Sequence, residues 1–120
     1  MSAKILTVDD AIYMRTMLKR ILDSQGYDIC EAGDGEAGVA MYGSEKPDLV
    51  LMDITMPGMD GIAATKKIVE SDPAAKVVIC SALGQQAMVL EAVKAGASEY
   101  VVKPFEPEQV IEVVQRVLAA

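Results

Sequence analysis

The chain has 120 residues, eleven basic against eighteen acidic, a net charge of −7 and no histidine. That length suits one hydrophobic core, the acidic balance excludes a basic nucleic-acid-binding face, and the missing imidazole excludes every His-dependent triad or zinc scheme. No apolar run approaches the roughly 20 residues of a membrane-spanning helix, and nothing resembles a signal peptide. Cys30 and Cys80 lie far apart in apolar, strand-like segments outside any CxxC spacing, which predicts buried free thiols in a reducing cytoplasm.

Lys4 to Val8 is a mostly aliphatic run, predicted as the first strand, and it ends in Asp9 and Asp10. Met14, Met17, Leu18, Ile21 and Leu22 then follow the spacing of an amphipathic helix, stopped by Gly26. Tyr27 to Glu31 is a second strand whose polarity suits a sheet edge. Ala37, Ala40 and Met41 mark a second, weaker helical face, ended before Pro47. Leu49 to Met52 is four apolar residues in a row, the pattern of a strand buried on both faces. Asp53 closes it, and a loop punctuated by Pro57, Gly58 and Gly61 follows.

Ile62, Thr65, Ile68 and Val69 give the third helix its inner face, and Asp72-Pro73 breaks it. Lys76 to Cys80 is the fourth strand, ending at Ser81. Gln85 to Ala95 reads as the fourth helix, closed by Gly96. Glu99 to Val102 is the fifth strand, ending at Lys103-Pro104. Val110, Val113, Val114, Val117 and Leu118 form one face of the last helix. Strands alternating with helices predict a doubly wound α/β fold, a parallel sheet with helices on both faces. No repeat or linker divides the chain, so a single domain over residues 1–120 is expected.

In such a sheet the C-terminal strand ends share one rim, where ligands bind. Here they carry Asp9 and Asp10, Asp53, Ser81 and Lys103. Crowded carboxylates repel unless protonated or bound to a cation. A hard divalent ion such as Mg²⁺ relieves them and keeps positions open for a phosphate. A lysine and a hydroxyl beside it complete a lining for phosphoryl oxygens, and Asp53 is the carboxylate nucleophile such a site needs. Each piece alone has a plainer reading: Asp9 and Asp10 can cap a helix, Asp53 a turn, and Lys103 can be a solvated surface lysine. Their joint occurrence at four strand ends is the signal.

Val8-Asp9-Asp10, Leu51 to Gly61, Ser81-Ala82 and Tyr100 to Phe105 together resemble the response-regulator receiver domain over essentially the whole chain. With no effector domain, the chain is most similar to the stand-alone receivers of chemotaxis. The resemblance implies a flavodoxin-like (βα)5 sheet in the order 2-1-3-4-5, an order for which this family is itself a standing example. It implies that Asp53 accepts a phosphoryl group from a histidine kinase (CheA-like), and that Asp10 binds Mg²⁺ directly, with Asp9 acting mainly through water. Thr55 would supply a backbone carbonyl to the metal, and Lys103 would contact the phosphoryl group. Ser81 would be the switch hydroxyl and Tyr100 the aromatic that turns inward with it. The phosphorylated form would bind a flagellar motor switch protein through the fourth helix, fifth strand and fifth helix, with a phosphatase as a further partner. The expected molecule is a cytoplasmic monomer that binds no nucleic acid or membrane. It would be no enzyme beyond its own Mg²⁺-dependent phosphorylation and dephosphorylation. The positions of Thr55 and Leu83 influence how fast the aspartyl phosphate is lost in this family, so its lifetime is open.

Gly33 to Gly38 satisfies G-x-G-x-x-G between a strand and a helix, with Asp53 about 20 residues on, as a dinucleotide fingerprint asks. It follows the edge strand and not the first, and Asp34 and Glu36 would repel a pyrophosphate. A flavin carrier on the same fold is disfavoured by the acidic loop after the first strand. The alternative within the family is a phosphorelay intermediate that passes the phosphoryl group to another histidine-bearing protein. A receiver cut from a longer regulator is disfavoured by the last helix ending in Val117-Leu118-Ala119-Ala120 without a linker.

Overall fold

The structure, a computed structural model, describes residues 2–120. Its elements alternate as β1 (Lys4–Val8), α1 (Ile12–Asp23), β2 (Asp28–Ala32), α2 (Gly35–Glu45), β3 (Leu49–Met52), α3 (Gly61–Ser71), β4 (Val77–Ser81), α4 (Gln86–Ala95), β5 (Glu99–Val102) and α5 (Pro107–Ala119). The five strands form one parallel sheet in the order β2-β1-β3-β4-β5. The doubly wound (βα)5 fold read from the sequence is what the chain adopts, and the polar β2 is an edge.

Strand alternation divides the core in two. Ile5, Leu49, Leu51, Val78, Cys80 and Val101 meet Leu18 and Leu22 of α1 and Val110, Val113, Val114 and Val117 of α5. On the opposite face Leu6, Val8, Val50, Met52, Val77 and Ile79 meet Ala64 and Ile68 of α3 and Ala92 of α4. β3 is wholly buried because both layers close over it, as its uninterrupted apolar run demands. No helix among the described residues is long and apolar enough to cross a membrane.

Some boundaries and faces differ from the sequence reading. β2 starts at Asp28 and not Tyr27, because the Tyr27 N–H still closes the turn after α1 by donating to the Leu22 carbonyl (3.3 Å). β4 runs Val77–Ser81, since Ser81 pairs with Val102 of β5. Gln85 is the N-cap of α4 and not its first turn. Ala40, expected on the inner face of α2, is exposed. This helix seats itself with glycine: a Cβ on Gly38 would lie 2.9 Å from a Val8 methyl, and one on Gly35 would lie 2.5 Å from the Met59 carbonyl oxygen. Ala37 and Met41 of the expected face do pack against the core, with Val39 and Tyr42, but the closest approaches are made by glycines, which weakens the apolar periodicity. Cys30, on the edge strand, is only half-buried, whereas Cys80 is buried; both are free thiols.

Candidate functional site

Parallel pairing of β1 with β3 sets Val8 opposite Met52, so the next residue of each strand, Asp9 and Asp53, emerges side by side. The Asp53 N–H donates to the Val8 carbonyl (2.9 Å), which fixes the acidic residue to its neighbour strand. The chain then loops back until the Gly61 N–H donates to the Ile54 carbonyl (2.9 Å). Gly61 passes so close that a Cβ there would stand 1.8 Å from the Asp53 carbonyl oxygen. Only glycine permits that approach.

Asp9, Asp10 and Asp53 each bring a carboxylate oxygen within 4.8 Å of the others. At that spacing a pair of charges repels by about 3 kcal/mol for an effective dielectric of about 20. Lys103, carried over from the end of β5, places Nζ 3.0 Å from Asp9 Oδ2 and 3.5 Å from Asp53 Oδ1. One ammonium against three carboxylates leaves the cluster doubly negative. Burial pushes the Asp53 carboxyl above its usual range; Lys103 pulls it back, but Asp9 adds to the rise and the net direction is up. Burial alone would lower the Lys103 pKa, yet the hydrogen bond to Asp9 and the Asp53 charge outweigh it, so Lys103 stays charged. Cys80, buried beneath, has its thiol pushed up to about 12 by desolvation and is inert.

Asp9 does not cap α1, whose N-cap Ala11 has no side-chain cap bond, but it braces the entrance to the helix. Its Oδ1 accepts the Ala11 N–H (2.9 Å) at the entrance to α1 while Oδ2 holds Lys103. Both oxygens are engaged, whereas Asp10 is exposed and its carboxylate accepts no hydrogen bond among the described residues. A hard cation matching two negative charges, with oxygen donors and open positions, fits this donor set, and Mg²⁺ is the ion of that description. Thr55 lies exposed in the loop two residues beyond Asp53.

Ser81 and Tyr100 form a second group beside the carboxylates. Ser81 is buried, and its Oγ accepts the Leu83 N–H (3.1 Å). The half-buried Tyr100 packs against the α3–α4 side of the core and its hydroxyl donates to the Leu83 carbonyl. One peptide stretch at Leu83 is thus gripped by both switch candidates. Neither makes a hydrogen bond to the carboxylates among the described residues. The link to the acidic side is the backbone, through the Lys103 N–H to the Ser81 carbonyl (2.8 Å).

The glycine motif at Gly33 to Gly38 is a packing and capping device. The Asp34 carboxylate accepts the Ala37 N–H (2.8 Å) and so takes the α2 N-terminus a phosphate would need. One residue escaped the sequence reading. Arg15 of α1 is largely buried at the rim, donating to the backbone carbonyl of Asp9. The only signal in the sequence was a cation near the start of a helix whose other residues follow apolar spacing.

Residues 5–115 match the response regulator receiver domain family. The chain is 52% identical over 118 residues to the chemotaxis protein CheY of Thermotoga maritima, covering 98% of each chain. It is 48% identical to CheY of Bacillus subtilis, covering 98% of this chain and 99% of that one. Among solved structures it superposes with a TM-score of 0.92, at 37% identity, on a chain of the CheX-CheY-BeF3-Mg complex from Borrelia burgdorferi. The match covers 96% of this chain and 88% of that one.

Proposed function

Since this chain belongs to the response-regulator receiver family and is a CheY-like receiver in two-component signalling, we propose that residues 1–120 form a single receiver domain acting as a phosphorylation-driven switch in chemotaxis. The observation that carries this reading is the juxtaposition of the raised-pKa Asp53 carboxylate with two further carboxylates and Lys103. The Asp53 oxygen attacks the phosphorus of a kinase phosphohistidine. The new O–P bond forms as the P–N bond breaks, and the electron pair returns to the imidazole nitrogen, which takes up a proton.

Asp10 and Asp53 would hold Mg²⁺ together with the Thr55 backbone carbonyl, and Asp9 would contribute mainly through water. When bound, the ion screens the negative charge that gathers on the phosphoryl oxygens. Lys103 keeps its ammonium beside Asp53, ready for a phosphoryl oxygen. Ser81, released from the Leu83 N–H, turns toward the phosphoryl group, and Tyr100 follows through the Leu83 carbonyl. The phosphoryl group shifts the population only through such differential contacts.

The output surface is α4, β5 and α5, where Leu90, Val93 and Val102 are exposed. Its partner is a flagellar motor switch protein, and a histidine kinase and a phosphatase set the phosphorylation level. The protein works in the cytoplasm as a monomer.

Intact-mass analysis after incubation with acetyl phosphate tests the chemistry. A single phosphoryl adduct that requires Mg²⁺ and is absent in Asp53→Asn is expected. An adduct that survives Asp53→Asn, or forms equally without Mg²⁺, would refute the reading.

A further inference from the structure

We propose that Arg15 is a positioning residue for the metal site, holding the Asp9–Asp10 peptide so that the exposed Asp10 carboxylate meets Asp53; this rests on the acidic cluster being the Mg²⁺ site. Arg15 lies near the start of α1, and its side chain is 17% exposed, the most buried of the cations in ion pairs apart from Lys103. Its Nη1 donates to the Asp9 backbone carbonyl at 2.6 Å, and its Nε donates to Glu31 Oε1 at 3.1 Å. A guanidinium can do this because its donors diverge in a fixed planar fork.

Three elements meet at that one side chain: α1, the end of β1, and the edge strand β2. The Asp9 N–H already donates to the Ala32 carbonyl of β2 (3.1 Å). Asp9 is therefore held at its N–H by β2, at its carbonyl by Arg15, and at its carboxylate by Ala11 and Lys103. Asp10 has no such tether among the described residues. The orientation of its peptide is set by the carbonyl that Arg15 grips. Glu31 balances the guanidinium charge, so Arg15 acts by direction of its donors more than by net charge at the cluster. Groups behind the ligands of a metal site commonly alter affinity by about 10- to 100-fold.

Calorimetric Mg²⁺ titration, together with the initial rate of acetyl phosphate labelling as a function of Mg²⁺, tests the proposal on the full chain. Arg15→Met keeps the apolar stem and deletes the fork. It is expected to weaken Mg²⁺ binding about tenfold and to shift the Mg²⁺ half-saturation by the same factor, with the labelling rate at saturating Mg²⁺ unchanged. Arg15→Lys, which retains the charge and a single donor nitrogen without the fork, is expected to recover part of the affinity. A merely structural role would lower the saturated rate as well, and that result would overturn the proposal. Unchanged Mg²⁺ affinity in Arg15→Met would also overturn it, provided Asp10→Ala binds Mg²⁺ more weakly. If Asp10→Ala too leaves affinity unchanged, the metal-site reading itself falls, and the positioning role falls with it.

Discussion

The two halves of the strand-end rim are built to different standards. On the β1–β3 side, Asp53 is pinned by its own N–H to Val8, covered by Gly61 at a distance no side chain would permit, and flanked by the buried Asp9. On the β4–β5 side, Gly84 to Ala87 are all exposed, α4 buries only Ala92, and its N-terminus has no side-chain cap. β4 and β5 are paired and β4 is buried. Beyond Ser81, however, the loop is held chiefly by the hydrogen bonds of Ser81 and Tyr100 to Leu83 and by the packing of Leu83 on the core. Segments with few buried contacts open at low free-energy cost. The difference suits a device whose chemistry needs fixed ligands and whose response needs a segment that can be moved by one new contact.

The largest effect is expected from the rigid half. Gly61→Ala forces a Cβ against the Asp53 carbonyl, and the backbone must yield, at a cost of about 3–5 kcal/mol. Gly43→Ala is the matched control, since a Cβ there meets nothing within 4 Å and the site is an exposed turn of α2. It is expected to stabilise by roughly 0.5–1 kcal/mol through helix propensity. Urea denaturation reads both, and equal effects at the two glycines would break the contrast.

A smaller effect of opposite sign is expected at Asp53. Burial and Asp9 raise its folded-state pKa above the unfolded value, so the neutral form is the one the fold prefers. The stability tied to this group is therefore fully present below the unfolded pKa of about 3.9 and is lost as pH rises through the raised folded pKa. Asp53→Asn abolishes that loss. Without Mg²⁺ it is expected to gain on the order of 1 kcal/mol at pH 7, about 4 °C in Tm, and the gain is expected to shrink toward zero by about pH 4. Mg²⁺ at 100 times the wild-type Kd is expected to stabilise the wild type by about 2.7 kcal/mol and Asp53→Asn, short of one carboxylate, by much less, which reverses the order of the two melting curves. A wild type that melts above Asp53→Asn without Mg²⁺ at pH 7 would contradict the strain assigned to the cluster.

Much of this was legible because the rim is written in strand ends. A carboxylate, hydroxyl or lysine directly after an apolar run falls on one edge of any parallel sheet, so Asp9, Asp53, Ser81 and Lys103 could be assembled without coordinates. What stayed hidden was contact through absence or through backbone. Gly35 and Gly38 seat α2 by lacking side chains, and periodicity has no symbol for that. Arg15 grips a main-chain oxygen, and the Leu83 peptide joins Ser81 to Tyr100 whatever its side chain is. The strand order came from resemblance, since alternation alone does not choose among parallel orders.

The smallest effect falls on the loose half. Tyr100→Phe keeps the ring against the α3–α4 core and removes only the hydroxyl that donates to Leu83. A single partly exposed hydrogen bond contributes about 1 kcal/mol or less, so global stability is expected to change little. The local consequence is expected to be larger than the global one, because so little else restrains the segment after β4. Hydrogen exchange of the amides from Leu83 to Met88 is expected to quicken severalfold while the amides of β1 and β3 keep their protection. Acceleration spread evenly over the sheet would mean that Tyr100 supports the core as a whole, and the two halves of the rim would then be one mechanical unit.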